Sequence, residues 1–175
     1  PGSRFDKEAV GSGDDRYYHL VLLAENDEGY HNLMKIVSRG YTEGYYYKPR
    51  VDLELLREFH EGIIALSACL AGEVQKNITR GMYSEGRAAA LRYEEIFGKG
   101  NFFLELQDHG MGEQQTANQG LLRLSEETGI ELVATNASTI PMRRMKSRMT
   151  SCFVFRRERS FLMRTGCVTK AASIM

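Results

Sequence analysis

Four short apolar runs, each separated from the next by helix-forming sequence, constrain the fold of this chain more than any other feature. The runs lie at residues 17–24, 63–67, 102–107 and 131–135. They are largely continuous rather than alternating, which is typical of strands buried on both faces of a parallel sheet. Strands that alternate with helices of ten or more residues form right-handed β-α-β units. The sequence therefore predicts an α/β fold with a parallel sheet.

Between these runs, apolar residues recur at spacings of three and four, which predicts amphipathic helices. Asn26 and Asp27 should supply the N-cap of the first helix, which should end at Gly40 and carry one apolar stripe, namely Tyr30, Leu33, Met34 and Val37. Asp52 should cap a short second helix. A closed barrel of seven or eight β-α units typically needs about 250 residues. Four strands therefore correspond to roughly half a barrel, and the alternative is a small open doubly wound sheet, although no GxGxxG turn follows any strand.

The net charge of zero conceals two parts of opposite sign. Residues 1–136 contain 14 Lys and Arg against 22 Asp and Glu, a net charge of −8, whereas residues 137–175 contain nine basic residues and one acidic residue, a net charge of +8. A basic arm of this kind can bind nucleic acid. No segment approaches the roughly 18 apolar residues of a membrane span. Three widely spaced cysteines do not form a disulfide framework, so we expect a cytoplasmic protein with reduced thiols and no membrane partner.

In parallel α/β folds, functional residues gather beyond the carboxyl ends of the strands. The predicted strands end in polar residues: Glu25 and Asn26, Ser67 and Cys69, Glu105, Gln107, Asp108 and His109, and Thr135 and Asn136. His19 lies inside the first strand, where a hydrogen-bonded core histidine is the commoner interpretation and a metal ligand is the alternative. Cys69 is likewise more often an apolar filler than a thiolate ligand or nucleophile. Asp108 and His109 would face opposite ways on a strand, which favours a solvated turn.

The chain also carries a cluster of aromatic and basic residues: Tyr41, Tyr45, Tyr46, Tyr47, Lys48 and Arg50. Such a group could stack on and neutralise single-stranded nucleic acid. Because the flanking sequence is acidic, packing of these rings against neighbouring helices is the favoured interpretation. No GxSxG elbow, Walker loop or zinc-spaced pair occurs. Composition and spacing alone support only a soluble α/β domain.

Four collinear segments carry a resemblance to a known family: HLVLLAENDEGYHNLMKIVSRGYTEGYYYKPRVD from His19, EGIIALSACLAGEV from Glu61, NFFLELQDHG from Asn101, and GIELVATN up to Asn136. They resemble the PHP domain of the bacterial DNA polymerase III alpha subunit, and the likeness covers residues 1–136. The resemblance implies a distorted β/α barrel of seven strands with a metal cluster at the carboxyl ends of its strands. The chain is then expected to be an internal fragment in which residues 1–136 form a partial PHP domain.

In that family several motifs supply the metal ligands, and the resemblance places only two of them here. His19 in HLVLLA and Cys69 in SACLAGE match ligand positions. The His-x-His motif, the Asp-His-Gly motif and the Glu that follows would all precede Pro1. The final motif would continue ATN with Asp, a variable residue and His, where this chain has Ala-Ser-Thr. Zn²⁺ or Mn²⁺ is the divalent metal expected in the intact domain, and this fragment is not expected to bind it stably.

The likeness stops abruptly after Asn136, and a one-nucleotide deletion in the gene is a hypothesis that explains the stop. Suitable codons for the tail, shifted by one base, encode Asp-Val-His-Tyr-Thr-Tyr-Glu-Glu-Asp-Glu, which is a family-like continuation. A shifted frame also explains the tail's composition, because five of the eight methionines lie there. Residues 137–175 are therefore expected to be a frameshifted and disordered basic tail rather than a selected nucleic-acid-binding arm.

The resemblance implies a function for the parent protein more than for the fragment. The parent would be a DNA-directed DNA polymerase of DNA replication, a nucleotidyltransferase whose Mg²⁺ is held by palm carboxylates outside this segment. Its partners would be DNA, a proofreading exonuclease subunit and the sliding clamp. The PHP domain would support a metal-dependent 3'-5' exonuclease or act as a scaffold. No catalytic residue is assigned, and the fragment alone is expected to be inactive.

Two alternatives remain open at this point. A free-standing PHP phosphoesterase of the histidinol phosphatase type would need the His-x-His motif that the sequence lacks. A noncatalytic interaction module would use the tyrosine-rich loop to bind a partner.

Overall fold

The computed structural model describes residues 2–6, 17–46 and 48–135, together with the backbone of residues 152–156, 159–161 and 172–174. The helices are α1 (Asp27–Thr42), α2 (Leu53–Glu58), α3 (Glu73–Thr79), α4 (Tyr83–Phe97) and α5 (Gly112–Thr128). The strands are β1 (Tyr18–Ala24), β2 (Arg50–Val51), β3 (Ile63–Leu66), β4 (Phe102–Gln107), β5 (Leu132–Thr135), β6 (Cys152–Arg156), β7 (Arg159–Phe161) and β8 (Ala172–Ile174). Within this described part of the chain, none of the helices has the length and apolar character needed to span a membrane.

The strands form one mixed sheet in the order β2-β8-β1-β3-β4-β5-β6-β7. The predicted α/β class is confirmed, and β3, β4 and β5 are parallel neighbours as the sequence indicates. The predicted parallel orientation is wrong for β1, which pairs with β3 in the antiparallel sense. The predicted burial of both faces is also wrong for β1, since Leu20 and Leu22 are buried, Val21 and Leu23 are half-buried and His19 is exposed. A continuously apolar run predicts a strand, but it does not report the direction in which the strand runs.

Three of the strands belong to the predicted tail. β6 and β7 extend the sheet beyond β5 as antiparallel neighbours, and β8 lies between β1 and β2. Most of residues 137–175 lie outside the described residues. The frameshifted, disordered tail therefore stays a prediction.

Helix α1 turns a different face to the core from the one that its apolar spacing predicts. Its buried residues are Gly29, Asn32, Ile36 and Gly40. Tyr30 and Met34 from the predicted stripe are exposed instead. Small residues face inward because α1 lies close to the turn before β3, where a Cβ on Gly29 would be 1.7 Å from the carbonyl oxygen of Gly62. The predicted end at Gly40 is also wrong, since the helix continues to Thr42.

The hydrophobic core lies between the sheet and the helices. Val74 and Ile78 of α3 are buried in it, as their spacing predicts. The ring of Tyr93 in α4 packs on Phe102 of β4 with 5.5 Å between ring centroids. Its hydroxyl donates to Oε2 of Glu73 at 2.7 Å, which ties α4 to the first turn of α3. Helix α3 is the helix that follows Cys69, so this contact supports the site described below.

A buried ion pair fastens the N-terminal residues to α2. Arg4 is 6% exposed and Asp52 is 4% exposed, and Nη1 of Arg4 lies 2.9 Å from Oδ1 of Asp52. Asp52 also caps α2, as predicted, because its side chain accepts from the backbone N–H of Leu55. The buried Arg50 donates to the carbonyl oxygens of Arg4 and Asp6. Residues 2–6 are thereby held against the corner formed by β2 and α2.

Candidate functional site

His19 and Cys69 come together because β1 runs antiparallel to β3. Val21 of β1 pairs with Leu66, the last residue of β3, so the start of β1 lies beside the segment that follows β3. The backbone N–H of His19 donates to the carbonyl oxygen of Ala71 at 3.0 Å. Nδ1 of His19 then lies 3.6 Å from Sγ of Cys69. The two residues that match ligand positions of the family are therefore in contact.

The interpretation of His19 as a core histidine is wrong. Its side chain is exposed, and Cys69 is half-buried. Since neighbouring side chains of a strand point to opposite faces, the next residue, Leu20, is the one that enters the core. The imidazole is left at the surface, where it reaches the thiol.

The backbone around Cys69 has an unusual conformation. Ala68 has a φ of 64°, the left-handed conformation that costs a non-glycine residue about 1–2 kcal/mol. Two hydrogen bonds hold it there: Nε2 of Gln75 donates to the carbonyl oxygen of Ala68 at 2.8 Å, and the N–H of Gly72 donates to that of Cys69 at 2.7 Å. Backbone strain that the surrounding structure maintains is often found at functional sites.

The side chains of His19 and Cys69 are of the type that binds metals, but two ligands are fewer than a metal site usually has. An imidazole nitrogen and a thiolate sulfur are preferred ligands of Zn²⁺. A zinc site typically has three or four protein ligands. Among the residues that the structure describes, no three His, Cys, Asp or Glu side chains are grouped so that they could hold one ion. The pair therefore forms at most part of a metal site.

A buried carboxylate lies next to this pair, at the ends of β4 and β5. Glu105 is 5% exposed. Its Oε1 accepts hydrogen bonds from Nε2 of Gln107 at 2.9 Å and from the hydroxyl of Thr135. Glu105 and Cys69 line the same small pocket. Polar residues at the ends of β4 and β5 therefore lie together, and Cys69 after β3 lies beside them.

Of the other predicted strand-end residues, Ser67 joins this group, because its hydroxyl accepts from the backbone N–H of Glu105 at 2.9 Å. Glu25, Asn26 and Asp108 do not. Glu25 and Asn26 follow β1, whose end lies at the opposite edge because β1 is antiparallel: the N–H of Glu25 donates to the carbonyl oxygen of Gly62, just before β3. Asn26 caps α1, one of the two residues predicted to do so, and Asp27 is the first residue of the helix. Asp108 accepts from the N–H of Gly110 in an exposed turn, in agreement with the solvated turn expected there. Asn136 lies outside the described residues.

The tyrosine-rich loop is only partly packed. Tyr41 and Tyr45 are 50% and 54% exposed and stack on each other with 6.4 Å between ring centroids. The prediction that these rings pack against neighbouring helices is wrong for this pair. Tyr46 is half-buried, with the guanidinium of Arg50 5.3 Å from its ring centroid. Tyr47 lies outside the described residues.

Residues 3–109 match the family described as PHP domain. This stretch contains both His19 and Cys69. The chain belongs to the PHP domain family. Its mixed α/β fold is consistent with part of the barrel-type fold of PHP domains, and Glu105 also lies within the matched stretch.

Several relatives of this PHP domain segment are DNA polymerase III alpha subunits. The subunit of Deinococcus radiodurans is 51% identical over 135 residues, which cover 77% of this chain and 10% of the relative. That of Treponema pallidum is 47% identical over 136 residues, 78% of this chain and 12% of the relative. That of Saccharopolyspora erythraea is 42% identical and covers 79% of this chain and 13% of the relative. The chain thus spans about a tenth of the length of the curated relatives it matches.

Proposed function

We propose that this chain is a segment of a bacterial DNA polymerase III alpha subunit, a cytoplasmic DNA-directed DNA polymerase of DNA replication, and that it supplies two metal ligands to the PHP domain of that protein. Identity above 40% to several such subunits supports the parentage. The 3.6 Å contact between Nδ1 of His19 and Sγ of Cys69 is the observation that carries the ligand assignment.

In this proposal the metal is Zn²⁺ or Mn²⁺, and when bound it supplies a Lewis acid for the cleavage of a phosphate ester. The contribution of the chain itself is to position the two donors. The hydrogen bond between His19 and Ala71 fixes the start of β1. The left-handed conformation of Ala68 turns Cys69 towards the imidazole. Since catalytic zinc sites typically use three protein ligands, we infer that the segment alone has neither exonuclease nor polymerase activity.

The remaining roles concern the parent protein. Its PHP domain serves a metal-dependent 3'-5' exonuclease or steadies the polymerase as a scaffold. Nucleotidyl transfer depends on Mg²⁺ held by carboxylates of the palm domain. DNA, a proofreading exonuclease subunit and the sliding clamp are its partners. These assignments rest on the names of the relatives and on the family resemblance.

Residues 137–175 are, in the same proposal, the product of a shifted reading frame. The change of net charge from −8 in residues 1–136 to +8 in this tail supports a change of frame. Sequencing the gene and its relatives tests the idea. We expect a missing base after the codon of Asn136. An intact frame that encodes the same tail in related genomes contradicts it.

A second candidate is a noncatalytic interaction module, favoured by the exposed, stacked rings of Tyr41 and Tyr45. The double variant Tyr41→Ala and Tyr45→Ala should then weaken binding of the proofreading exonuclease subunit, whereas Tyr30→Ala, which removes an exposed tyrosine elsewhere on α1, should not. Equal binding by both variants removes this candidate.

The main proposal is tested with the purified 175-residue chain and its His19→Ala variant, each in the presence of Zn²⁺ or Mn²⁺. Three substrates are used: a 3'-labelled oligonucleotide, a primed template with deoxynucleotides, and p-nitrophenyl phosphate. We expect no turnover above that of the variant. Hydrolysis of p-nitrophenyl phosphate that His19→Ala abolishes would instead support a free-standing phosphoesterase and contradict the proposal.

A further inference from the structure

Four residues on the outer side of α1 form an apolar stripe, here called the α1 seam: Tyr30, Met34, Val37 and Tyr41. Tyr30, Met34 and Tyr41 are 48%, 42% and 50% exposed, and Val37 is half-buried. The residues that α1 turns to the core lie on a different face. Large apolar side chains that adjoin one another on the surface of a soluble protein commonly mark a contact site. The α1 seam is therefore a candidate interface.

The spacing of the α1 seam indicates the kind of partner that fits it. Its members follow one another at intervals of four, three and four positions, which is the alternation found along a coiled-coil seam. Such a seam packs along a second α-helix, with the two axes about 20° apart. From position 30 to position 41 the seam is about 16 Å long, because a helix rises about 1.5 Å per residue. None of its members is basic, so it offers no contact to a phosphate backbone. The partner that fits is another α-helix.

The α1 seam is its own complement when two copies meet in antiparallel orientation. With a two-fold axis at the middle of the seam, Tyr30 of one copy faces Tyr41 of the second copy, and Met34 faces Val37. Each end of the helix pair then brings two aromatic rings together, and the middle brings two aliphatic side chains together. Tyr45 is 54% exposed and stacks on Tyr41 with 6.4 Å between ring centroids, so it extends the contact at each end.

The charges at the two ends of α1 also favour antiparallel pairing. Asp27 and Glu28 in the first turn are exposed, and Lys48 is exposed shortly after the C-terminal end. Glu43, which caps that end, is already ion-paired with Arg4 at 2.7 Å. Antiparallel pairing brings the acidic end of one copy towards Lys48 of the second copy, whereas parallel pairing would set the two acidic ends against each other. The charge pattern thus selects the same orientation as the apolar residues.

We propose that the α1 seam is a self-association surface, which pairs with the same seam of a second copy of this chain in an antiparallel, two-fold symmetric helix pair. A fully covered aromatic side chain buries about 150–250 Å², so the half-exposed seam and Tyr45 can bury on the order of 400 Å² per copy. A stable interface of standard size buries about 800 Å² per partner. The dimer is therefore transient and is populated at high protein concentration. This pairing does not depend on the function proposed above.

The first test measures the oligomeric state of the 175-residue chain by sedimentation velocity, up to about 1 mM, the range in which small interfaces associate. We expect an equilibrium between monomer and dimer that depends on concentration. Met34→Glu places a charge in the middle of the α1 seam and should weaken dimerisation at least about tenfold. Leu122→Glu adds the same charge at a 47% exposed position on α5 and should leave dimerisation within about twofold.

Two results of this measurement overturn the proposal. One is a wild-type chain that stays monomeric over the whole range, as it would if the α1 seam served a helix of another protein or of the parent subunit. The other is dimerisation of Met34→Glu that equals that of the wild type.

The second test determines the orientation of the pair by disulfide trapping. Chains carrying Tyr30→Cys and chains carrying Tyr41→Cys are mixed, oxidised and digested, and mass spectrometry identifies the linked peptides apart from those of the three native cysteines. Links between positions 30 and 41 should dominate, because these positions face each other. Positions 30 and 30, or 41 and 41, lie about 16 Å apart along the antiparallel pair, too far for a disulfide. Links of these like positions that equal or exceed the mixed link contradict the arrangement.

Circular dichroism gives an independent control on folding. Met34 lies on the surface of α1, so Met34→Glu should keep the helix content of the wild type and a similar melting temperature at low protein concentration. If Met34→Glu does not fold, the sedimentation of the wild type and the disulfide trapping decide the question by themselves.

Discussion

Nδ1 of His19 lies 3.6 Å from Sγ of Cys69, although 50 positions separate the two residues in the chain. The contact exists because the start of β1 pairs with the end of β3. The imidazole therefore comes from the beginning of β1, and the thiol comes from the segment that follows β3. The geometry of this contact depends on the tight turn between β3 and α3, and that turn can be tested by substitution.

Gly72 should not tolerate a side chain. A Cβ at this position would lie 2.1 Å from the carbonyl oxygen of Ser67 and 3.1 Å from that of Cys69. Gly72→Ala is therefore expected to lower the free energy of unfolding by about 1–3 kcal/mol, the usual cost of overpacking, when measured by urea denaturation. Gly112→Ala is the matched control, since a Cβ there meets no atom within 4 Å. Equal stability of the two variants contradicts the close approach at Gly72.

Ala68 and Ala89 should respond differently to the same change. Both are almost fully buried, but Ala68 has a φ of 64° and Ala89 lies inside α4. Ala89→Gly is expected to cost about 2 kcal/mol, from the lost methyl group and the loss of helix propensity. Ala68→Gly loses a methyl group too, but it relieves about 1–2 kcal/mol of left-handed strain, so its stability should stay close to that of the wild type. Equal losses in chemical denaturation would show that Ala68 is not strained.

Asp52 combines a helix cap with a buried charge pair, and three variants separate these roles. Asp52→Ala removes both and should cost about 3 kcal/mol, because α2 loses its cap and the buried Arg4 keeps only the less buried carboxylates of Glu43 and Glu54 as partners. Asp52→Asn keeps an oxygen for the N–H of Leu55 and should cost less. Glu54→Ala removes an exposed partner of Arg4 and should cost no more than about 1 kcal/mol. A loss in Glu54→Ala as large as that in Asp52→Ala contradicts this ranking.

Tyr93 should make the protein sensitive to alkaline pH. Burial, followed by the neighbouring Glu73 carboxylate, raises the pKa of the Tyr93 hydroxyl far above its usual value. Above about pH 10 the unfolded chain releases this proton and the folded protein keeps it, so stability is fully present below about pH 10 and falls as the pH rises further. Tyr93→Phe should cost about 2 kcal/mol at neutral pH, because it removes a hydrogen bond to a charged group.

Tyr93→Phe should also make the free energy of unfolding less dependent on pH above about pH 10. The measurement is urea denaturation between about pH 8 and 11, in the range where an ordinary tyrosine titrates. Tyr30→Phe, which changes an exposed tyrosine, is the control. The same slope above pH 10 in Tyr93→Phe and the wild type would contradict the role of Tyr93.

The positions of the strands and of several helices could be predicted from the sequence. The bounds of β4 and α5 follow from apolar runs interrupted by Gly100, Gly110 and Gly129, all of which have positive φ. The orientation of β1 could not be predicted, because an apolar run has the same composition whether the strand runs parallel or antiparallel to its neighbour. The face of α1 was misassigned for a related reason: the spacing of large apolar residues does not reveal that Gly29 and Gly40 allow the closest packing.

The candidate site was predicted only in part. His19 and Cys69 were identified through the family resemblance, and Glu105 and Thr135 through their position at strand ends. Gln75 was missed, because a glutamine inside a helix is an ordinary surface residue and nothing local marks it as buried. A glutamine on the face shared by Val74 and Ile78 is the signal that could have found it.

The central claim is that His19 and Cys69 are two ligands of an incomplete metal site, and a titration with Co²⁺ tests it most directly. Co²⁺ replaces Zn²⁺ and gives a thiolate charge-transfer absorption when it binds cysteine. The account predicts that this absorption appears with the wild-type chain only at Co²⁺ concentrations well above that of the protein, and that His19→Ala and Cys69→Ser both lose it. Tight stoichiometric binding by the wild type, or an unchanged absorption in His19→Ala, would contradict the claim.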